Sequence, residues 1–184
     1  MRRVFIQSFG CQMNDYDVER LAEVLRRDGY ERTENAEEAD LVYLHTCSVR
    51  EKAEAKVASA AGLFREWKQQ GGERMLAIGG CVAQQEGARL LQRVPHADLT
   101  LGPDQIARVP SLLRKVKEER RRLATTEVID VEDYQFLDAD PLPGEVKVTQ
   151  LVTIQKGCDN HCAFCIVPHT RGREVSRPAA EVVA

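Results

Sequence analysis

Short apolar runs alternate with longer stretches in which apolar residues recur every three to four positions. The short runs predict strands over residues 3–8, 41–46, 75–78 and 97–101. The helical spacing predicts helices over 14–28, from 48 to 67, over 84–93 and from 104 to 116. Strands that alternate with helices at this pace indicate an α/β fold: an open parallel sheet with helices on both faces.

Polar residues mark where these helices are expected to begin. Asn14 and Asp104 are plausible N-caps of their helices, and Ser48 with Glu51 has the spacing of a capping box. The second helix carries an apolar stripe made of Ala53, Val57, Ala60, Phe64 and Trp67.

The chain changes character after a basic run at residues 120–122. Residues 125–145 are acidic and contain Pro141 and Pro143, which is typical of a linker. We therefore divide the chain into a domain at 1–122, a linker at 123–145 and the start of a second domain at 146–184. About 39 residues are too few to bury a core of their own, so this tail either packs on the first domain or belongs to a larger barrel.

A second apolar run leads into the tail and predicts a strand that ends at Lys156. Its apolar members are Val146, Val148, Leu151, Val152 and Ile154. A loop rich in cysteine follows this predicted strand.

Composition and charge bear on three questions: whether the chain spans a membrane, whether it attracts nucleic acid, and in which compartment it lies. Of 184 residues, 43% are hydrophobic and 30% charged, which is ordinary for a globular chain, and no apolar run approaches the roughly 20 residues of a membrane span. The net charge of -3 gives no general electrostatic attraction to nucleic acid, so any RNA contact is local. Six cysteines without an export signal favour a reducing compartment, and we expect a cytoplasmic protein.

Three cysteines in the tail have the spacing C-x-x-x-C-x-x-C: Cys158, Cys162 and Cys165. Four cysteine thiolates normally saturate an iron–sulfur cube, so three predict a 4Fe-4S cluster with one iron left open for another ligand. The alternative is a zinc knuckle with His161 as fourth ligand. His161 adjoins Cys162 directly on a tight loop, which argues against that alternative.

The other three cysteines each follow a predicted strand and precede a predicted helix: Cys11, Cys47 and Cys81. Because the carboxyl ends of parallel strands share one edge, and ligands bind there, the three can converge. Singly, each is better explained as a small buried hydrophobe. Together, with Gly10, Gly79 and Gly80 beside them, they favour a second cluster.

The motifs around these cysteines resemble one family. The tail loop is similar to the cluster loop of the radical S-adenosylmethionine enzymes, and its flanks at 155–157 and 166–178 resemble the methylthiotransferase branch of that superfamily. The segments Phe9-Gly-Cys-Gln-Met-Asn14, Thr46-Cys-Ser-Val-Arg-Glu-Lys52 and Gly79-Gly-Cys-Val-Ala-Gln84 resemble three further signatures of its transfer RNA members. The resemblance spans nearly the whole chain.

The resemblance implies two 4Fe-4S clusters and bound S-adenosylmethionine. It assigns Cys158, Cys162 and Cys165 to the cluster that reduces this cofactor, and places Phe164 against the cofactor's adenine; simple loop packing is the alternative for Phe164. It assigns the auxiliary cluster, which delivers sulfur, to the set made of Cys11, Cys47 and Cys81. The tail then corresponds to the first strand and cluster loop of a truncated (β/α) barrel.

The implied activity is that of a tRNA methylthiotransferase. Residues 12–14, 48–52 and 82–86 resemble the branch that adds a methylthio group to carbon two of N(6)-isopentenyladenosine beside the anticodon. Methylthiotransferases acting on threonylcarbamoyladenosine in tRNA or on a ribosomal protein remain alternatives. An iron–sulfur electron carrier is a further one, although it would want four cysteines per cluster.

The resemblance also bears on partners. It implies tRNA as substrate, bound mostly by parts beyond residue 184, and we expect these residues alone to be inactive and monomeric. It leaves the electron donor and the sulfur source open.

A histidine, a glycine-rich motif and three arginines have two possible interpretations each. His45 stands where the family usually has asparagine, and either neighbours the cluster or makes a local hydrogen bond. Gly71-Gly72-Glu73 mimics a cofactor-binding motif but is expected to be a helix-to-strand turn. Arg171, Arg173 and Arg177 either contact substrate phosphate or, as we favour, pair with Glu174 and nearby carboxylates.

Overall fold

A computed structural model describes residues 1–48, 53–137 and 149–183. Its centre is a six-stranded parallel sheet with the strand order β2-β1-β3-β4-β5-β6. The strands are β1 (Arg2–Phe9), β2 (Tyr30–Arg32), β3 (Leu41–Thr46), β4 (Met75–Gly80), β5 (Leu99–Leu101) and β6 (Leu123–Thr125). The predicted α/β class with a parallel sheet is confirmed.

Helices connect the strands and cover both faces of the sheet. They are α1 (Gln12–Arg27), α2 (Ala53–Gln69), α3 (Cys81–Glu86), α4 (Ala88–Arg93) and α5 (Val109–Glu119), with 3-10 turns at Ala36–Glu38 and Pro103–Arg108. Helices α1 and α5 pack on one face, and α2 and α4 on the other.

Strand β3 shows why the sheet is covered on both sides. All six of its residues are buried. Leu41 and Tyr43 point into the apolar layer under α1 and α5, whereas Val42 and Leu44 point into the layer under α2 and α4. A continuous apolar run with no polar alternation is what a parallel strand between two helical layers requires.

The predicted stripe of α2 lies in the core where it is described. Val57, Ala60, Phe64 and Trp67 are buried, and the Phe64 and Trp67 rings meet edge to face at a centroid distance of 6.1 Å. The proposed capping box at 48–51 falls partly outside the described residues. Among the described residues, no helix combines the length and the apolar composition that crossing a membrane requires.

Three helix starts differ from the prediction. Cys11, and not Asn14, is the N-cap of α1. The helix expected over 84–93 begins at Cys81 and is broken at Gly87, whose φ of 50° lies in the left-handed region that favours glycine. Asp104 is not a cap, because its carboxylate is engaged by the backbone N–H of Ile129 and by Lys156.

The sheet continues beyond the basic run into residues that composition assigned to a linker. Leu123–Thr125 pairs with β5 as the edge strand β6. The next residues cross the carboxyl edge of the sheet, where the side-chain amides of Gln84 and Gln105 donate to the carbonyls of Thr126 and Glu127 at 2.7 and 2.6 Å.

The tail forms small elements of its own. They are β7 (Gln155–Lys156), α6 (Val167–Arg171), β8 (Val175–Ser176) and α7 (Ala179–Val183), and β7 pairs antiparallel with β8. The predicted strand is confirmed only for its last two residues and is wrong for 149–154, while 146–148 lie outside the described residues. Among the described residues these positions have no parallel neighbour to pair with, and Val152 and Ile154 are exposed.

Candidate metal centres

The first three cysteines lie at the carboxyl ends of three adjacent strands. In the sheet register Phe9 pairs with Thr46, and Thr46 pairs with Gly80. Cys47 and Cys81 are each the next residue after this last pair of the β3–β4 ladder, so they follow neighbouring strand ends. Cys11 follows Phe9 by two residues. The predicted placement of these cysteines at one edge is confirmed.

This position is also the place where the strand order reverses. The chain passes from β1 out to β2 on one side and then crosses to β3 on the other. In open α/β sheets, ligands bind at such a switch point, outside the carboxyl ends of the strands. Cys11 and Cys47 stand directly on the two sides of it.

Two buried polar residues tie the three strand ends together. Asn14, on the first turn of α1, donates from Nδ2 to the carbonyl of Thr46 at 2.9 Å. Thr46 donates from Oγ1 to the carbonyl of Gly79 at 2.7 Å and accepts from the N–H of Val82 at 3.2 Å. Both residues lie in the motifs described above, where Asn14 was predicted only as a helix cap and Thr46 only as a strand end.

Glycines permit the close approach of these backbones. A Cβ at Gly80 would lie 2.3 Å from the carbonyl oxygen of Thr46, and Gly80 has a φ of +95°. A Cβ at Gly10 would lie 2.3 Å from Cγ of Asn14. Any larger residue at Gly80 would push the ends of β3 and β4, and therefore Cys47 and Cys81, apart.

A buried cluster of three polar residues contains His45, which lies close to Cys47 in the chain, together with Asp17 and Arg171. His45 is fully buried, and its Nε2 lies 3.3 Å from Oδ2 of Asp17, a residue of α1. The guanidinium of Arg171 donates to the same carboxylate at 2.5 Å. Burial raises the pKa of Asp17, but the hydrogen bond to His45 and the charge of Arg171 outweigh burial and hold this pKa below its ordinary value.

The second set of cysteines lies on the loop between β7 and α6. The N–H of Cys158 donates to the carbonyl of Gly172 at 3.2 Å, and the N–H of Cys165 donates to the carbonyl of Cys162 at 3.0 Å. Cys158 and Cys165 are partly exposed and Cys162 is exposed. The three thiols are therefore open to an incoming cluster on one short loop.

Phe164 projects from this loop into solvent with 93% of its surface exposed. Among the described residues the ring is therefore not packed against the loop. An exposed ring beside three thiols is free to lie against a ligand.

The two cysteine sets have the donor atoms of iron–sulfur cluster ligands. Within the described ranges, no three His, Cys, Asp or Glu side chains are arranged as a finished metal cage. None of the six described cysteines is in a disulfide, and they form two sets of three along the chain. Thiolates are the ligands such clusters require, the sheet register places the first set at one edge, and one short loop carries the second, so the donor chemistry fits.

The remaining positions singled out in the sequence have the following surroundings. Gly71 and Gly72, with φ of 95° and 83°, form the predicted turn between α2 and β4. Arg173 pairs with Asp159 at 3.3 Å on the surface, whereas Arg177 lies near Glu181 and the Phe136 ring. Arg171 has a carboxylate partner as expected, but that partner is Asp17, far away in sequence.

Fold and site together define an α/β protein with two three-cysteine sets, one at the switch point of the sheet and one on a loop beside it. The chain belongs to a family known as uncharacterized protein family UPF0004, whose pattern matches residues 3–102.

Curated relatives match the chain over its whole length. A tRNA-2-methylthio-N(6)-dimethylallyladenosine synthase from Anaeromyxobacter sp. (strain K) is 54% identical over 183 residues, covering 100% of this chain and 39% of the relative. Proteins with the same name from Myxococcus xanthus (strain DK1622) and Halorhodospira halophila (strain DSM 244 / SL1) are 50% and 46% identical. They cover 100% and 99% of this chain, which spans 39% and 38% of their lengths.

Proposed function

We propose that this protein is a tRNA methylthiotransferase that acts on carbon two of N(6)-isopentenyladenosine beside the anticodon. The observation that carries the proposal is the 54% identity, over the whole chain, to a protein named for the methylthio derivative of dimethylallyladenosine in tRNA. The relatives from Myxococcus and Halorhodospira share that name, which favours this substrate over threonylcarbamoyladenosine or a ribosomal protein.

Each three-cysteine set is assigned one cluster. Cys158, Cys162 and Cys165 would hold the cluster that binds S-adenosylmethionine, and Cys11, Cys47 and Cys81 the auxiliary cluster. When bound, these groups supply radical activation of an unreactive aromatic C–H bond and the sulfur that replaces its hydrogen. Three cysteines per cluster, where an electron carrier would have four, support the enzyme over the carrier.

The chain's own residues position and shield these groups. Asn14 and Thr46 hold the ends of β1, β3 and β4 at fixed separations, and Gly80 lets two of these ends meet. Cys47 is buried, so its thiol is withheld from bulk water. Phe164 is free to cover the adenine of the cofactor.

We further propose that residues 1–184 alone neither cleave S-adenosylmethionine nor modify tRNA, because they span 39% of the length of the relatives. tRNA is then bound mostly by other parts, in the cytoplasm, and the chain is monomeric. The electron donor and sulfur source are open.

Iron analysis tests the proposal. After anaerobic reconstitution we expect about eight irons per chain, at four per cube. The variant Cys11→Ala/Cys47→Ala/Cys81→Ala should retain about four irons, and the variant Cys158→Ala/Cys162→Ala/Cys165→Ala should retain the other four or so. EPR of each variant should show one kind of 4Fe-4S cluster.

The matched triple variants serve as controls for each other. If the first variant keeps all the iron of the unmodified chain, Cys11, Cys47 and Cys81 are core thiols and the methylthiotransferase proposal is wrong.

A further inference from the structure

Two buried ion pairs stand on either side of the cysteine loop at 158–165. Before the loop, Nζ of Lys156 lies 2.6 Å from Oδ2 of Asp104, with side chains only 4% and 5% exposed. After the loop, Arg171 lies 2.5 Å from Asp17, with side chains 10% and 8% exposed. In both pairs the cation belongs to the tail and the carboxylate to the α/β domain.

The first pair sits in a closed environment built by the segment that crosses the sheet edge. Nζ of Lys156 lies 4.1 Å from the centre of the Tyr134 ring, a cation–π contact. Oδ2 of Asp104 also accepts the N–H of Ile129 at 3.0 Å. Lys156 thus contacts both a buried carboxylate and an aromatic ring, and it stands two residues before Cys158.

The second pair connects to the strand that carries an auxiliary cysteine. Oδ2 of Asp17 accepts a hydrogen bond from Arg171 and also lies 3.3 Å from Nε2 of His45. His45 stands on β3, two residues before Cys47. Arg171 therefore links the stem of one cysteine set to the strand of the other.

The base of the loop is closed by backbone contacts. A Cβ at Gly157 would lie 2.0 Å from the carbonyl oxygen of Arg173, and Gly157 has a φ of +72°. Cys158 donates to the carbonyl of Gly172. The two stems thus form one unit, and fixing Lys156 and Arg171 fixes the loop between them.

Buried pairs differ physically from the surface pairs of this chain. The Arg173–Asp159 pair lies in the same region with side chains 78% and 49% exposed, and pairs of that kind contribute little. A buried pair gains little net stability either, because both charges lose their hydration. It does penalise every arrangement in which one charge is buried alone, so it selects one geometry.

We propose that Lys156 and Arg171 are positioning residues: their pairs with Asp104 and Asp17 clamp both stems of the cysteine loop to the sheet edge and so set the separation between the two three-cysteine sets. The proposal rests on the assignment of one cluster to each set. A fixed separation matters there because a radical formed at one site and sulfur held at the other must reach the same substrate atom.

The first test measures the magnetic interaction between the two reduced clusters by EPR. The paired substitutions Asp104→Asn/Lys156→Met and Asp17→Asn/Arg171→Met remove each clamp without leaving a lone buried charge. We expect about eight irons per chain to be retained. The magnetic interaction between the clusters should become heterogeneous, because their separation is no longer fixed. Arg173→Gln, in the same region, is the control and should leave the spectrum unchanged.

The second test needs no cluster. In the iron-free chain, Lys156→Met alone should accelerate amide hydrogen exchange over 155–176 by about a hundredfold, because it strands the buried Asp104 carboxylate. Exchange in β3 and β4 should stay slow, which shows that the sheet is intact. Lys156→Arg, which keeps the charge, should restore most of the protection.

The outcomes separate the two proposals. Unchanged exchange and an unchanged EPR interaction in both paired variants would overturn the clamp. If the unmodified chain binds fewer than about eight irons while exchange responds as expected, the clamp stands and the two-cluster assignment is wrong. If Lys156→Met unfolds the sheet, the paired variant Asp104→Asn/Lys156→Met takes its place in the test. That variant must loosen residues 155–176 and leave the sheet intact.

Discussion

Single residues at the carboxyl ends of β3 and β4 determine how closely two of the thiols can approach. Gly80 precedes Cys81, has a positive φ and lies against the backbone of Thr46. A side chain here meets rigid backbone that cannot move aside, in contrast to Gly10, whose neighbour is a side chain. Gly80 is therefore a position at which one added methyl group would disturb the ends of β3 and β4.

We expect Gly80→Ala to lower the free energy of unfolding of the iron-free chain by about 1–3 kcal/mol, the usual cost of a residue held in a sparsely populated backbone conformation. The contact with Thr46 adds to this cost. Urea unfolding followed by circular dichroism measures it, and reconstitution should show loss of about four irons.

Gly62→Ala is the matched control. Gly62 lies within α2 and a Cβ there would meet nothing within 4 Å, so alanine should stabilise the chain by about 0.5–1 kcal/mol. Equal effects of the two substitutions would contradict the role assigned to Gly80.

Residue pairs far apart in sequence are what the sequence could not reveal. Asp104 follows Gly102-Pro103 and so resembles a helix cap, yet its partner Lys156 lies 52 residues away. Arg171 has Glu174 close by, yet pairs with Asp17, 154 residues earlier. The cysteines were predictable because their spacing is local and strand ends share an edge; these partners depend on how the tail docks.

At the scale of elements, periodicity predicted the four inner strands β1, β3, β4 and β5 and missed the two edge strands. β3 and β4 have long buried apolar runs, and the three residues of β5 are all buried. β2 and β6 have three residues each, and exposed or half-buried positions among them interrupt the apolar run. The strand predicted over 149–154 had the right composition, but a strand also needs a partner strand, and in the described part of the chain the pairing with β8 covers only residues 155 and 156.

The edge strand β6 gives a testable boundary. A chain ending at residue 137 keeps β6 and its bonds from Leu123 to Asp98 and from Gly102 to Thr125. A chain ending at residue 122 loses them. At about 1 kcal/mol for each backbone hydrogen bond, we expect the shorter chain to be less stable by at least about 2 kcal/mol in urea unfolding.

Chains ending at 137 and at 130 serve as the comparison pair, since both retain β6. Equal stability of the chains ending at 122 and 137 would place the domain boundary before β6 and contradict its role in the sheet.

At the scale of the whole molecule, we expect the sheet with its two apolar layers to fold without metal. The buried layers join residues from β1 through α5, and only Cys47 and Cys81 among the cysteines are buried. A core of this size folds by apolar burial, unlike small metal-binding modules whose folding free energy comes from the metal.

We therefore expect removal of iron by a chelator to leave the far-UV circular dichroism of the reconstituted chain nearly unchanged. The dependence of the unfolding free energy on urea should also stay the same, because it reports the surface exposed on unfolding. The midpoint should fall, since bound clusters stabilise the native state.

The variant lacking Cys11, Cys47 and Cys81 is the control, and its midpoint should shift less on chelation. Loss of the sheet signal together with iron would show that the fold requires the clusters.

The pairing of Thr46 with Gly80 also has an evolutionary consequence. A strand that loses one residue turns every following side chain to the opposite face, so a deletion within β3 would carry Cys47 away from Cys81. The turns at the other edge, such as residues 33–39 and 70–74, impose no such constraint. Insertions and deletions among natural variants of this chain should therefore accumulate at the amino edge and spare the lengths of β3 and β4.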